Sequence, residues 1–105
     1  MAGMYCMNDL LELVLREGAE ELHLQIDKPP VMAVQGKPLA IDVPAVTADN
    51  VAELLQSIAT EKQLGELRAC GNIHFIYVFQ NSARFSVTAA MQHEAITVKI
   101  RNLGR

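Results

Sequence analysis

Residues 21–41, ELHLQIDKPPVMAVQGKPLAI, admit few folds. Leu22, Leu24 and Ile26 alternate with Glu21, His23 and Gln25, the period-two pattern of a half-buried strand with one polar face. Asp27-Lys28-Pro29-Pro30 breaks the pattern, because proline has no ladder donor and restricts the residue before it. VMAVQ resumes an extended run, Gly36-Lys37 predicts a turn, and PLAI returns. The segment therefore predicts a three-stranded meander.

The chain enters this meander from an amphipathic helix, NDLLELVLREG, with Leu10, Leu11, Val14 and Leu15 on one stripe. Either Asn8 or Asp9 can cap its start, and Asp9 also suits the positive end of the macrodipole. Gly18 occupies the place of a left-handed C-terminal cap. After the meander, TADNVAELLQSIA predicts a second helix beginning at Thr47, with Val51, Leu54, Leu55 and Ile58 on its apolar side. Thr60-Glu61-Lys62-Gln63 fits a capping box and opens a third helix ending at Gly71. Gly65 inside it weakens the helix by about 1 kcal/mol relative to alanine, which predicts a bent or frayed first turn.

The remainder alternates. NIHFIYVFQ is apolar enough to predict that both faces are partly covered, Asn81-Ser82 predicts a tight turn, and ARFSVTAAM points Phe85, Val87, Ala89 and Met91 inward. AITVKI does the same with Ile96, Val98 and Ile100. The order is α-β-β-β-α-α-β-β-β. Short connections favour antiparallel pairing, so the expected fold class is α+β, one antiparallel sheet with helices on one face. The 105 residues are enough for a single domain with its own core, and residues 1–105 are read as one.

Charge and motifs narrow the function classes. A net charge of −3 argues against a nucleic-acid binder, which needs a basic footprint. No run is apolar and long enough to insert into a membrane, and the first residues lack the features of a signal peptide, so the chain reads as cytoplasmic. Cys6 and Cys70 are the only cysteines; reduced thiols are the expectation, with a disulfide or a metal role as the alternatives. No phosphate loop, GxSxG or HExxH motif occurs. His23, His74 and His93 are far apart, Glu20 and Glu21 point to opposite faces, and no catalytic residue, metal site or cofactor is assigned. The expectation is a protein that is not an enzyme by itself.

One surface stands out. Arg84, Ser86 and Thr88, then Thr97, Lys99 and Arg101, are the outward positions of the last two strands, and neighbouring strands would gather three cations there. Such a face is either solvated, with snorkelling side chains, or a polar docking surface for a partner domain or an anionic ligand.

MNDLLELVLREGAEELHLQIDKPPVMAVQGKPL resembles the opening of PilT-type type IV pilus retraction ATPases, relatives of the type II secretion ATPases. Gly18, Ala19, Leu22, His23, Leu24, Pro29, Pro30 and Gly36 carry the likeness, and Arg84, Phe85, Val87 and Gln92 of ARFSVTAAMQ extend it. The resemblance implies a PAS-like N-terminal domain that precedes a RecA-like ATPase domain. It implies a hexameric ring in which this domain packs on the ATPase domain of its own or a neighbouring subunit. It further implies a docking surface of His23, Arg84, Thr88, Lys99 and Arg101, with Arg84 contacting nucleotide in trans, and a place at the inner face of the membrane in a pilus or secretion machine. The chain departs from the family in having Glu21 before Leu-His-Leu, Ser86 and Thr88 on the arginine-bearing strand, and His74 for an aspartate. A stand-alone adaptor that binds a motor subunit or another protein therefore remains open, and so does a small-molecule sensor, although the inward residues offer no polar group to orient a ligand. The last strand ends where a linker to an ATPase domain is expected.

Overall fold

The computed structural model describes residues 6–41, 43–92 and 95–104. Three helices, α1 (Met7–Glu17), α2 (Ala48–Gln56) and α3 (Glu61–Cys70), accompany six strands: β1 (Glu21–Leu24), β2 (Val31–Val34), β3 (Lys37–Ala40), β4 (Asn72–Phe79), β5 (Ala83–Gln92) and β6 (Ala95–Gly104). The element order and α+β class are those read from the sequence. The strands form a single sheet in the order β3-β2-β1-β6-β5-β4, and every neighbouring pair is antiparallel.

The centre of that sheet joins two meanders that are remote in sequence. Leu22 lies opposite Ile100 and Leu24 opposite Val98, so the first strand of the chain is zipped to the last. Asn102 locks the seam: its backbone N–H donates to Glu20 O at 2.8 Å and its side-chain Nδ2 to Ala19 O at 3.1 Å. A β-bulge between Arg84 and Phe85 shifts the far end of the β5–β6 register.

The apolar stripes of all three helices enter the same core as the inward residues of the strands. Leu11, Val14, Leu22, Leu24, Val51, Leu55, Phe85 and Val87 are fully or almost fully buried in it. Phe79 and Phe85 meet edge-on at 6.2 Å between ring centroids, a favoured aromatic geometry. No polar side chain is buried among the described residues. The core is thus held by aliphatic packing, and the sheet's other face is left for polar groups.

Local details depart from the expectations in five places. The N-cap of α1 is Cys6, which makes no side-chain cap, and Asn8 and Asp9 lie within the first turn. The helix starts earlier because Met7 buries its side chain in the core; Asp9 still faces the positive helix end. Strand β1 stops at Leu24, and Asp27 takes a left-handed conformation before the prolines. The β2–β3 turn is Gln35-Gly36, both with positive φ, and Lys37 already pairs with Val34. The β4–β5 turn likewise centres on Gln80-Asn81, one residue earlier than predicted. Around Gly65, α3 runs unbroken, its first turn closed by the reciprocal Thr60–Gln63 capping box.

The two faces of β4 are covered unequally. Ile73 and Phe79 face the core, whereas Ile76 and Val78 remain half exposed, at 50% and 52%. The reason is topological: β4 is a sheet edge, and the helices lie on the other face.

A candidate docking site on the open sheet face

The outward residues of β1, β6, β5 and β4 fall into cross-strand rows. His23 lies opposite Lys99, Lys99 opposite Thr88, and Thr88 opposite His74. The adjacent row runs from Glu21 to Arg101, Ser86 and Ile76. Cross-strand neighbours on one face have side chains close enough to interact. The structure therefore places His23, Thr88, Lys99 and Arg101 on one face of the sheet, in two adjacent rows.

Arg84 stands apart from that group. It lies opposite Val78 and Gly104, beyond the β-bulge, on an exposed part of β5. His93, one of the three histidines weighed in the sequence, is outside the described residues. Cys6 and Cys70 are exposed free thiols.

Glu21 is the member that sequence reasoning missed. Its Oε1 accepts a hydrogen bond from His23 Nε2 at 2.9 Å, and Lys99 Nζ lies 3.7 Å from its Oε2. The His23 hydrogen bond, helped by the charges of Lys99 and Arg101, holds the Glu21 carboxyl below the usual carboxylate range despite some desolvation. The signal was present, since Glu21 and His23 share a strand face at spacing two. It was obscured by pairing Glu21 with Glu20, whose Oε1 instead accepts from the Gly36 backbone at 3.1 Å. The face is thus a carboxylate among cations rather than a purely basic patch.

Two shallow clefts flank His23 on this face. One, of about 360 Å³, lies over β1–β3 and is bordered by His23, Lys28, Pro29, Gly36 and Pro38. The other, of about 220 Å³, lies between His23, Thr88, Thr97 and Lys99. Further along, His74 Nε2 and Ser86 Oγ are hydrogen-bonded at 2.6 Å in an exposed position. Among the described residues, no three His, Cys, Asp or Glu side chains are placed to hold a metal ion. The face thus presents a carboxylate, cations and hydrogen-bonding side chains in adjacent rows.

No protein-family model matches the chain. Over 97 residues it is 27% identical to the type IV pilus retraction ATPase PilT of Pseudomonas aeruginosa, an alignment covering 92% of this chain. The chain is homologous to part of PilT. It spans only 28% of the length of that curated relative. The fold agrees with this: the crystal structure of the pilus retraction motor PilT with bound ADP superposes with a TM-score of 0.84 over 92% of this chain and 29% of its own, at 21% identity. The Legionella pneumophila ATPase DotB gives a TM-score of 0.77 at 22% identity, covering 91% of this chain and 28% of DotB. The match is to the N-terminal part of these ATPases. No helix among the described residues is long and apolar enough to cross a membrane.

Proposed function

We propose that this chain is the PAS-like N-terminal docking module of a PilT-like pilus-retraction or secretion motor, and that its open sheet face packs on a RecA-like ATPase domain of the same or a neighbouring subunit in a hexameric ring. The observation that carries the proposal is the PilT likeness extending over 92% of the chain, and the polar face built by Glu21, His23, Lys99 and Arg101 supports the choice of surface. The module carries no turnover of its own; it positions and moves with the domain that has it. Its place is the cytoplasm, at the inner face of the membrane.

The test is binding of this chain to the ATPase domain of a PilT-like motor from the same cells, followed by calorimetry. Lys99→Glu with Arg101→Glu is expected to abolish binding while the fold is retained. Equal binding by that variant would reject this face as the contact. The nucleotide role of Arg84 is tested in the assembled ring: Arg84→Ala lowers ATP turnover if the guanidinium stabilises phosphate charge, and unchanged turnover disposes of that role.

A second reading is a stand-alone adaptor that binds a motor subunit. It is favoured by Ser86, which offers a hydroxyl where the resemblance implies a second arginine, and by the distance of Arg84 from the His23–Lys99 group in the strand register. The mass of the endogenous protein separates the two: several times 11.5 kDa supports the motor, and a mass near 11.5 kDa supports the adaptor.

A further inference from the structure

The open sheet face is recessed at its β1–β3 end. The two cross-strand rows continue there: Ala40, Val31 and His23 lead to Lys99, and Pro38, Ala33 and Glu21 lead to Arg101. Ala33 is short beside Val31 and Pro38, and Gly36 adds no side chain. The face therefore sinks into the cleft of about 360 Å³, whose border Lys28 and Pro29 complete.

The border is ordered before anything binds. Three backbone hydrogen bonds pin the loop that carries Lys28 and Pro29: Asp27 N–H to Val46 O at 2.8 Å, Val46 N–H to Lys28 O at 3.0 Å, and Ile41 N–H to Pro30 O at 2.8 Å. Glu20 Oε1 accepts from the Gly36 N–H at 3.1 Å and steadies the turn before Pro38. Pro29 and Pro38 each fix their own φ. A recess with walls already in place loses little entropy on filling, so it suits an anchoring side chain.

Charge selects the kind of anchor. Lys28 is exposed and forms no ion pair with any described residue, its neighbour Asp27 included. The nearby carboxylates are engaged already, Glu20 by the Gly36 N–H and Glu21 by His23 and Lys99. Arg101, opposite Glu21, has no ion pair of its own among the described residues. In a chain of net charge −3, cations are thus concentrated beside an apolar recess. Such a surface complements a carboxylate that flanks an apolar side chain.

We infer that this cleft receives an acidic segment of the partner domain. An apolar side chain of that segment seats between Pro29, Val31, Ala33 and Pro38, and a flanking carboxylate meets Lys28. The inference rests on the docking reading above and adds to it where the partner is gripped and by what chemistry. One cleft per chain takes one segment per neighbour, the head-to-tail contact that a ring requires.

Calorimetric titration of the chain with the ATPase domain of a PilT-like motor from the same cells tests this, with carbodiimide coupling read by mass spectrometry. Carbodiimide joins a lysine amine directly to a carboxylate, and the expected product links Lys28 to an Asp or Glu of the ATPase domain. Lys28→Glu reverses the charge and Ala33→Leu fills the recess; each is expected to raise the dissociation constant at least about tenfold. Lys28→Arg keeps binding, and so does Lys62→Glu, the same charge change on an exposed position of α3. Lys28 is exposed and Ala33 borders an open cleft, so the fold is retained, as circular dichroism checks. Unchanged affinity in either Lys28→Glu or Ala33→Leu overturns the inference, and the docking reading stands if Lys99→Glu with Arg101→Glu still abolishes binding. Absence of any link from Lys28 to the domain also overturns it, as do equal losses in Lys28→Glu and Lys62→Glu, the mark of net charge alone. No binding by the wild type removes the docking reading itself, and this inference with it.

Discussion

His23 donates to Glu21 at 2.9 Å across one face of β1, and this contact fixes the charge of the open sheet face. It does so in the middle of the sheet, where Lys99 and Arg101 of the last strand lie directly opposite the same two residues. The carboxylate thereby lies 3.7 Å from Lys99 and faces Arg101 across the strand pair, between two cations of a distant strand.

Because the Glu21 carboxyl titrates lower in the folded chain than in the unfolded one, the unfolded state takes up its proton first as pH falls. The stability it contributes is complete above the usual carboxylate range, about pH 4, and is lost as pH drops through the depressed value. Urea unfolding of wild type and Glu21→Gln is expected to show the wild type ahead at pH 7 by no more than about 1 kcal/mol, as suits a partly exposed pair. That lead shrinks on acidification. A lead that grows toward acid would contradict this account.

Leu22 is completely buried in β1, between the strands that join the two meanders. Leu22→Ala removes its packing and leaves a cavity at the seam, so a loss of about 2–5 kcal/mol is expected in equilibrium unfolding. Leu39→Ala, at an exposed edge position, is the control and is expected to change stability by less than about 0.5 kcal/mol.

Thr60 accepts from the Gln63 backbone at 3.1 Å while Gln63 Oε1 accepts from the Thr60 backbone at 2.9 Å. Thr60→Ala breaks the box at a helix already weakened by Gly65. Its cost is expected to be about 0.5–2 kcal/mol, with faster amide exchange in the first turn of α3.

Gln35 holds a φ of 52° and Gly36 one of 78° in the two-residue turn between Val34 and Lys37. Hairpin turns with two positive φ values favour Asn-Gly, since asparagine tolerates the left-handed region. Gln35→Asn is therefore expected to stabilise the chain by about 0.5 kcal/mol, read as a higher urea midpoint. Gly36→Val, a β-branched residue at positive φ, is expected to do the opposite.

The sequence by itself determined the identity and order of the elements. Apolar spacing marked α1, α2, β1, β5 and β6, the proline pair and Gly36 framed β2 and β3, and Thr47, Thr60, Gly18 and Gly71 punctuated the helices, because each of these signals is local: a side-chain period, a cap, or a conformation that glycine adopts freely. Where the local signal was thin, the reading slipped by a residue or two. The hairpin turns show this: Gln80 and Asn81 adopt positive φ with no glycine beside them, and Gln35 does so one residue before Gly36.

Only the tertiary structure decided the pairing of β1 with β6, a contact between residues almost eighty positions apart that no local pattern encodes. That pairing placed Glu21 and His23 against Arg101 and Lys99 and turned the expected basic patch into a mixed face, while the β5–β6 register set Arg84 beyond the bulge. It also made β4 an edge, so that a strand apolar on both sides kept Ile76 and Val78 exposed. The physical reason is the same in each case. Alternation tells which residues share a face of a strand, but strand order, set by the burial of the whole core, decides which strands share an edge.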